Sequence, residues 1–519
     1  MKEETLRFRV SPDIGYNDDQ LSDFLKGKIN YPFRVIRRSI DARGKKPIID
    51  IEVSVFRDGK IPSLIKYTIP NNSVSQQTPL IIVGAGPAGL FAGLKCLELG
   101  LKPVILERGK DVRSRRRDLA AINKSHIVNP ESNYCFGEGG AGTYSDGKLY
   151  TRSKKRGDLK RILEILVAHG ATEKILIDAH PHIGTNKLPN IITNIRESIE
   201  NAGGEVHFGT KVEELILNNG EVKGVQTNKG TFNGAGVILA TGHSARDIFE
   251  MLHRQNVTIE QKPFALGVRV EHVQSLIDQI QYKQPERNLN LPASSYSLVS
   301  QTFYDDKQRG VFSFCMCPGG FIVPAATQDG EVVVNGMSPS RRDSKYANSG
   351  IVVAIEKEDL QAFEAHGALA GVKFQAEIEK KACAIAGNTQ QAPAQRLLDF
   401  VNGKVSQTLL PTSYQPGLVS VDMIEVLGES ITKRLRDAFR FFGKKMKGYL
   451  TNEAQIVGVE SRTSSPVKIP RNEKLEHPEV SRLFPCGEGA GYAGGIVSAA
   501  MDGERCVQAF IESYGTNKQ

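Results

Sequence analysis

Apolar and polar positions alternate with period two in three early segments, LRFRV, YPFRVIRRSIDA and PIIDIEVSVF, and these predict strands. Between the first two, Asp18 to Lys28 opens with acids and predicts a helix. Residues 1–72 therefore predict a small α+β module of β-α-β-β type, followed by a polar linker, NNSVSQQTP. The pattern then changes. Residues 80–83 are uninterruptedly apolar, as in a strand buried on both faces, and Leu90, Leu94 and Leu97 recur near helical spacing. Residues 102–106 predict a second buried strand. Further on, 157–170 predicts a helix, and 203–242 a meander with a hairpin turn at NNGE, 218–221. Strand-like runs at 265–270, 311–314 and 332–335 precede helical ones at 368–386 and 429–450. That block predicts a second domain inserted into the first, to which the chain returns at 482–510.

Between the first two buried strands lie Gly84, Gly86 and Gly89, in G-x-G-x-x-G spacing. The first glycine permits a tight turn, the second lets a pyrophosphate approach the backbone, and the third lets helix and strand pack closely. The free N–H groups and dipole of the following helix face the phosphates. Glu107 closes the second strand 23 positions after Gly84, near the ~20 expected of an acid that binds ribose hydroxyls. Both strands, the helix and the acid are present, so the segment predicts a dinucleotide site.

Composition narrows the classes. A chain of 519 residues predicts more than one domain. No run of about 18 apolar residues predicts a membrane span, and the charged start MKEETLRFRV does not resemble a signal peptide. Seven cysteines without framework spacing predict reduced thiols and a cytoplasmic protein. No zinc spacing is visible, so no metal is expected. The net charge of +9 favours an anionic cofactor or substrate.

Residues 482–503, RLFPCGEGAGYAGGIVSAAMDG, again spell strand, glycine turn and helix. Too little chain follows for a second dinucleotide unit, so they predict the returning half of a single FAD site, with Glu488 near the ribityl chain and the helix start at Gly494, Gly495 and Ile496 near the flavin's pyrimidine edge. VILATG, 237–242, adds a buried strand ending in a small-residue turn. This order of segments resembles the FAD domain of the glutathione-reductase-like superfamily, in its single-Rossmann branch. FGEGGAGTYSDGKL (136–149), HPHIGTNKL (180–188), FALGVRVEH (264–272), FCMCPGG (314–320) and ESRTSSPVKIPR (460–471) extend the likeness to a largely uncharacterised bacterial family of FAD-dependent dehydrogenases. Glu488 stands where the wider superfamily usually has Asp.

The resemblance implies an α/β fold: an FAD-binding Rossmann-like domain in two pieces, 78–258 and 448–519, with an inserted α+β substrate domain at 259–447 and the N-terminal module at 1–72. It implies an FAD-dependent oxidoreductase acting on a small organic substrate through flavin N5, with NAD(P)H as a transient co-substrate where it is the reductant. Expected cofactor contacts are Gly84, Gly86, Pro87, Ala88, Gly89, Glu107, Arg108, Gly140, Gly142, Lys148, Val212, Ala240, Thr241, Gly242, Gly487, Glu488, Gly494, Gly495 and Ile496.

Candidate reactive groups are Lys148, His180, His182, Cys315 and Cys317. Lys148 follows a cluster of glycines and can neutralise a phosphate or the reduced flavin. His180 and His182 are either proton donors or a loop pair bonding backbone. C-x-C spacing puts Cys315 and Cys317 on one strand face, as a redox pair or as two packed thiols. Of Arg113, Arg115, Arg116 and Arg117, either all are solvated or one reaches the pyrophosphate. A reading from another class, an RNA- or partner-binding flavoprotein, rests on the basic RVIRRSIDARGKK; few aromatics are interleaved with it.

Overall fold

The computed structural model describes residues 3–150 and 157–515. The N-terminal module is a three-stranded antiparallel sheet in which Ile48–Phe56 runs between Glu3–Val10 and Phe33–Asp41. The helix Asp18–Lys26 covers it, with Asn17 as N-cap accepting from Gln20 N at 3.0 Å. Its exposed arginines are matched by acids: Arg9 pairs with Asp41 and Asp50, Arg7 with Glu52, and Arg57 with Glu4.

The next sheet is parallel and five-stranded, in the order Leu483–Pro485, Val237–Leu239, Pro79–Val83, Lys102–Leu106, Glu205–His207. Its strands carry Ile, Val and Leu on both faces because helices cover one face, and a three-stranded sheet with the helix Arg246–Arg254 covers the other. The helix Pro87–Glu98 packs against the C-terminal helix Ile496–Tyr514 so closely that a Cβ on Gly503 would lie 2.1 Å from the Ala88 carbonyl. The predicted meander, Val212–Asn218, Glu221–Thr227 and Gly230–Asn233, forms a separate antiparallel sheet. Its first turn places Asn219 and Gly220 at positive φ, as a two-residue hairpin turn requires.

The inserted domain is built on a long, mostly antiparallel sheet with Tyr346–Ile355, Phe264–Val273 and Gln455–Glu460 at its centre. The helices Ala370–Ile385 and Glu429–Lys445 bury its apolar face. Gln455–Glu460 lies beyond the 447 boundary read from the sequence, yet it pairs with Phe264–Val273 on one side and Ala392–Arg396 on the other. An apolar run specifies a buried strand but not its partners, so its local pattern fits either sheet.

The N-terminal module docks on the parallel-sheet domain through Arg38. Its backbone exchanges hydrogen bonds with Ile177 and Ala179, and its guanidinium donates to Asp178 at 2.8 Å and lies over the Tyr16 ring at 4.5 Å. Arg38 is buried and Asp178 half-buried. Arg38→Ala is expected to weaken docking by about 2 kcal/mol, between surface and buried ion-pair values. Limited trypsin digestion should then cleave faster at Lys60 and Lys66; an unchanged rate would mean the docking rests elsewhere.

Candidate functional site

Four of the five parallel strands end in segments that meet. Gly84 follows Val83, Glu107 follows Leu106, Ala240 to Gly242 follow Leu239, and Gly487 and Glu488 lie just beyond Pro485. Ligands bind at such carboxyl ends where consecutive connections leave the sheet in opposite directions; here the strands flanking Pro79–Val83 are Lys102–Leu106 and Val237–Leu239. A cavity of about 420 Å³ opens there, and the inserted domain forms its far wall.

The phosphate turn is shaped by its glycines. Gly84 has φ +103°, and a Cβ there would lie 2.8 Å from the Ala240 carbonyl oxygen. A Cβ on Gly89 would lie 1.8 Å from the Gly84 carbonyl oxygen, so this glycine serves packing and not contact. Gly86 differs: its φ of −75° is ordinary, and a Cβ would meet no protein atom within 4 Å. It points into the cavity from the N-cap of Pro87–Glu98, whose first N–H groups lack helical partners.

Glu107 is buried, and its carboxylate accepts from three backbone N–H groups: Ala85 at 2.9 Å, Gly109 at 2.8 Å and Gly137 at 2.9 Å. The sequence assigns it to ribose; the structure also makes it the fastener of three loops. Arg108 is locked by Glu131 and Asp247 and stacks on Phe136. Arg115 is fully buried and fits neither of the expected alternatives. Its guanidinium donates to the carbonyls of Asn133, Glu138 and Gly140, fixing the glycine-rich loop.

Opposite these, Thr241 presents a shielded hydroxyl oxygen with no hydrogen-bond partner among the described residues. Glu488 accepts from Gly495 N–H at the start of Ile496–Tyr514 and lies 3.6 Å from His243 Nε2. Burial pulls the His243 imidazole down, and Glu488 opposes this without reversing it. It is therefore neutral near pH 7 and able to accept a proton. A Cβ on Gly242, Gly494 or Gly495 would likewise enter open space. An unpartnered hydroxyl and four glycine positions facing open volume fit a group the size of a dinucleotide.

The far wall brings Phe314, Cys315, Val333, Val334, Asn335, Glu460, Arg462 and Thr463 to the cavity. Lys148 Nζ stands 3.9 Å from both Cys315 Sγ and Cys317 Sγ and 3.8 Å from Asp146 Oδ2. Asp146, buried, is gripped by both arms of Arg342. Hydrogen bonding to Cys317 draws the Cys315 thiol well below its usual range, against its burial, with Lys148 and Arg269 reinforcing the shift. The same contact and burial push Cys317 up.

Of the residues expected from the sequence, the cavity gathers Gly84, Gly86, Pro87, Ala88, Glu107, Arg108, Gly140, Gly142, Lys148, Val212, Ala240, Thr241, Gly242, Glu488, Gly494, Gly495, Ile496 and Cys315. Five others stand off it. Gly89 is in the packing seam, and Gly487 donates its N–H to Asp502. Cys317 is buried behind Cys315. His180 is exposed beside Tyr150, and His182 shares a hydrogen bond with the Ser340 carbonyl. Both histidines sit on a loop whose backbone pairs at Lys148, which accounts for their place. His243, placed by the strand end before it, is the histidine that reaches the cavity. Gly319 and Gly320 lie against the Arg342 and Met337 carbonyls, away from it. Elsewhere, Cys486, Asp502 and Cys506 cluster closely enough to hold a cation. The guanidinium of Arg471, bonded to Asp502 and Cys506, already supplies the positive charge.

In pre-reduced protein, Cys315 should be alkylated by iodoacetamide at pH values below the ordinary thiol range, because its thiolate persists there, whereas Cys317 should resist. Lys148→Met removes a cation and should move the Cys315 profile up by about 1 pH unit. The tryptic peptide 310–341 carries both cysteines and no other, so its mass reads both sites. An unmoved profile would free Lys148 from this role.

The model of a family described as "FAD-dependent protein, C-terminal domain-like" matches residues 263–463. An uncharacterized protein of Clostridium beijerinckii is 39% identical over 501 residues, covering 93% of this chain and 93% of that one. Among solved structures, a glycine oxidase from Bacillus cereus is 13% identical, covering 85% of this chain and 96% of that chain, with a TM-score of 0.32. A geranylgeranyl bacteriochlorophyll reductase-like protein from Thermoplasma acidophilum is 13% identical, covering 85% and 80%, with a TM-score of 0.33. Likeness at that level carries no argument about chemistry. The relationship across nearly the whole length of the clostridial protein shows common family membership, and the matched domain gives that family its description: the chain belongs to a family of FAD-dependent proteins.

Proposed function

We propose that the cavity holds FAD and that the protein is an oxidoreductase passing a hydride between a small organic substrate and the flavin. One observation carries the reading: the phosphate turn, the Thr241 segment and the start of the C-terminal helix converge on one open volume, into which Gly86, Gly242, Gly494 and Gly495 present no side chain. Gly86 and the N–H groups of Pro87–Glu98 would hold the pyrophosphate. Glu107, with acceptor capacity left beside its three amides, would take a ribose hydroxyl. Thr241 and Glu488 would bond the ribityl chain, and the start of Ile496–Tyr514 would favour negative charge at the ring. Bound FAD supplies two-electron hydride chemistry of its own. The chain's own groups orient it, shield it with the inserted domain, and offer His243 as a proton acceptor at the wall.

The basic excess and Lys148 support an anionic substrate. NAD(P)H, where it is the reductant, would enter the same cavity transiently. Among the described residues, no helix is long and apolar enough to cross a membrane.

Gly86→Val separates fold from occupancy. Its backbone is compatible with a side chain and a Cβ meets no protein atom, so the variant should fold. Its FAD retention should fall at least tenfold, about 1.4 kcal/mol or more; a yellow, stoichiometric variant would overturn the reading. Anaerobic addition of NADH and NADPH, each alone, should bleach the flavin absorbance of the wild type with one of them if a nicotinamide is the donor. Bands that persist with both would assign reduction to the organic substrate.

A further inference from the structure

We propose that Cys315 and Cys317 form a dithiol–disulfide couple that exchanges an electron pair with the flavin; this rests on the FAD reading above. The strand Lys307–Pro324 loses its register with Tyr346–Ile355 between Phe314 and Cys317, and again between Cys317 and Gly320. At the first break Cys315 takes φ +46°, a conformation that non-glycine residues rarely adopt and that tends to persist at functional sites. The effect is to bring Cys315 to the cavity wall while Cys317 stays behind it, its sulfur 3.3 Å from the Cys315 carbonyl oxygen.

Two packed structural thiols would need no cation. Here Lys148 stands 3.9 Å from each sulfur, and Arg269 donates to the Cys315 carbonyl at 3.3 Å. Cys96, buried in the parallel-sheet core without such partners, has its thiol pushed up by burial alone. Cys135 also lines the cavity, but its thiol donates to the Ala325 carbonyl. Raised thiol acidity beside a cation and access to one neighbouring thiol are what distinguish redox cysteines from buried ones.

The step balances. The Cys315 thiolate and Cys317 thiol form an S–S bond as the Cys317 S–H bond breaks. The electron pair and that proton pass to oxidised flavin, leaving reduced flavin with the single negative charge the thiolate had carried. The reverse reaction restores thiolate and thiol. Lys148 faces the charge on either side of the exchange, held by Asp146, whose own charge Arg342 offsets.

The test is an anaerobic dithionite titration of FAD-loaded protein, followed by quenching with iodoacetamide in denaturant, where both thiols are accessible, and mass measurement of peptide 310–341. Wild type should take up twice the electron equivalents per flavin that Cys315→Ser or Cys317→Ser takes, at equal flavin content. Its peptide should be unalkylated and lighter by two hydrogens before titration, and doubly alkylated after it. Equal uptake in all three proteins would overturn the couple and leave the FAD reading standing. So would two alkylated cysteines in the oxidised holoprotein, or a disulfide that survives complete flavin reduction. Failure of the wild type to bind FAD, visible as missing absorbance bands, would instead sink the FAD reading and the couple with it.

Discussion

A buried guanidinium without a carboxylate partner is costly unless its donors are satisfied, and Arg115 satisfies them on the backbone carbonyls of Asn133, Glu138 and Gly140. The same stretch of loop gives its Gly137 N–H to Glu107. A cation and an anion thus grip one glycine-rich segment from two sides, one through its oxygens and one through its amides. Glu107 also takes the Ala85 amide, so the phosphate turn and this loop are fixed to a single carboxylate. The glycines follow from this grip. A Cβ on Gly137 would lie 2.6 Å from Arg115 Cδ, and one on Gly109 would lie 2.5 Å from Gly137. The cavity wall beside the phosphate turn exists because this segment can lie flat against a charged pair.

The first half of that arrangement was legible in the sequence, because it is local. Strand, glycine turn, helix and terminal acid lie within thirty residues, and each constrains the next. The C-terminal glycine segment was legible for the same reason, as was the NNGE hairpin. The role of Arg115 was not. Four arginines near a helix start look alike in sequence, and burial of one of them depends on a loop that folds back later. The second sheet was legible as strands but not as an order of strands: Tyr346–Ile355 and Gln455–Glu460 flank Phe264–Val273 through pairings separated by many residues. His180 and His182 looked reactive by type, but their places are set by a bridge to Lys148 and the Ser340 carbonyl. His243 directly follows the ATG of 240–242, but only the assembled walls show that it reaches the cavity.

The two domains meet around charge. On one side of the cavity, Lys148 and Asp146 from the parallel-sheet domain face Cys315, Cys317 and Arg342 from the inserted one. On another, Arg246 from the parallel-sheet domain and Arg462 share the buried carboxylates of Glu331 and Glu379. Burial pushes Glu379 up, and the two guanidiniums more than offset it. Such clusters contribute little net stability over apolar packing, but they tolerate few alternative geometries, since any displacement leaves a buried charge unpaired. Their effect is to set where the far wall stands.

That placement governs reactivity as well as shape. Arg269 is fully buried in the inserted sheet, bonded to Glu460 at 2.6 Å and to Asn348 at 2.6 Å, and it holds the Cys315 carbonyl. The inserted domain therefore fixes the backbone of Cys315, while the cation that faces its sulfur comes from the other domain. Neither domain alone carries both. Cys317 draws that thiol down from within its own domain, and the lysine across the domain boundary adds to the shift, which ties the chemistry of the far wall to the packing that forms the cavity.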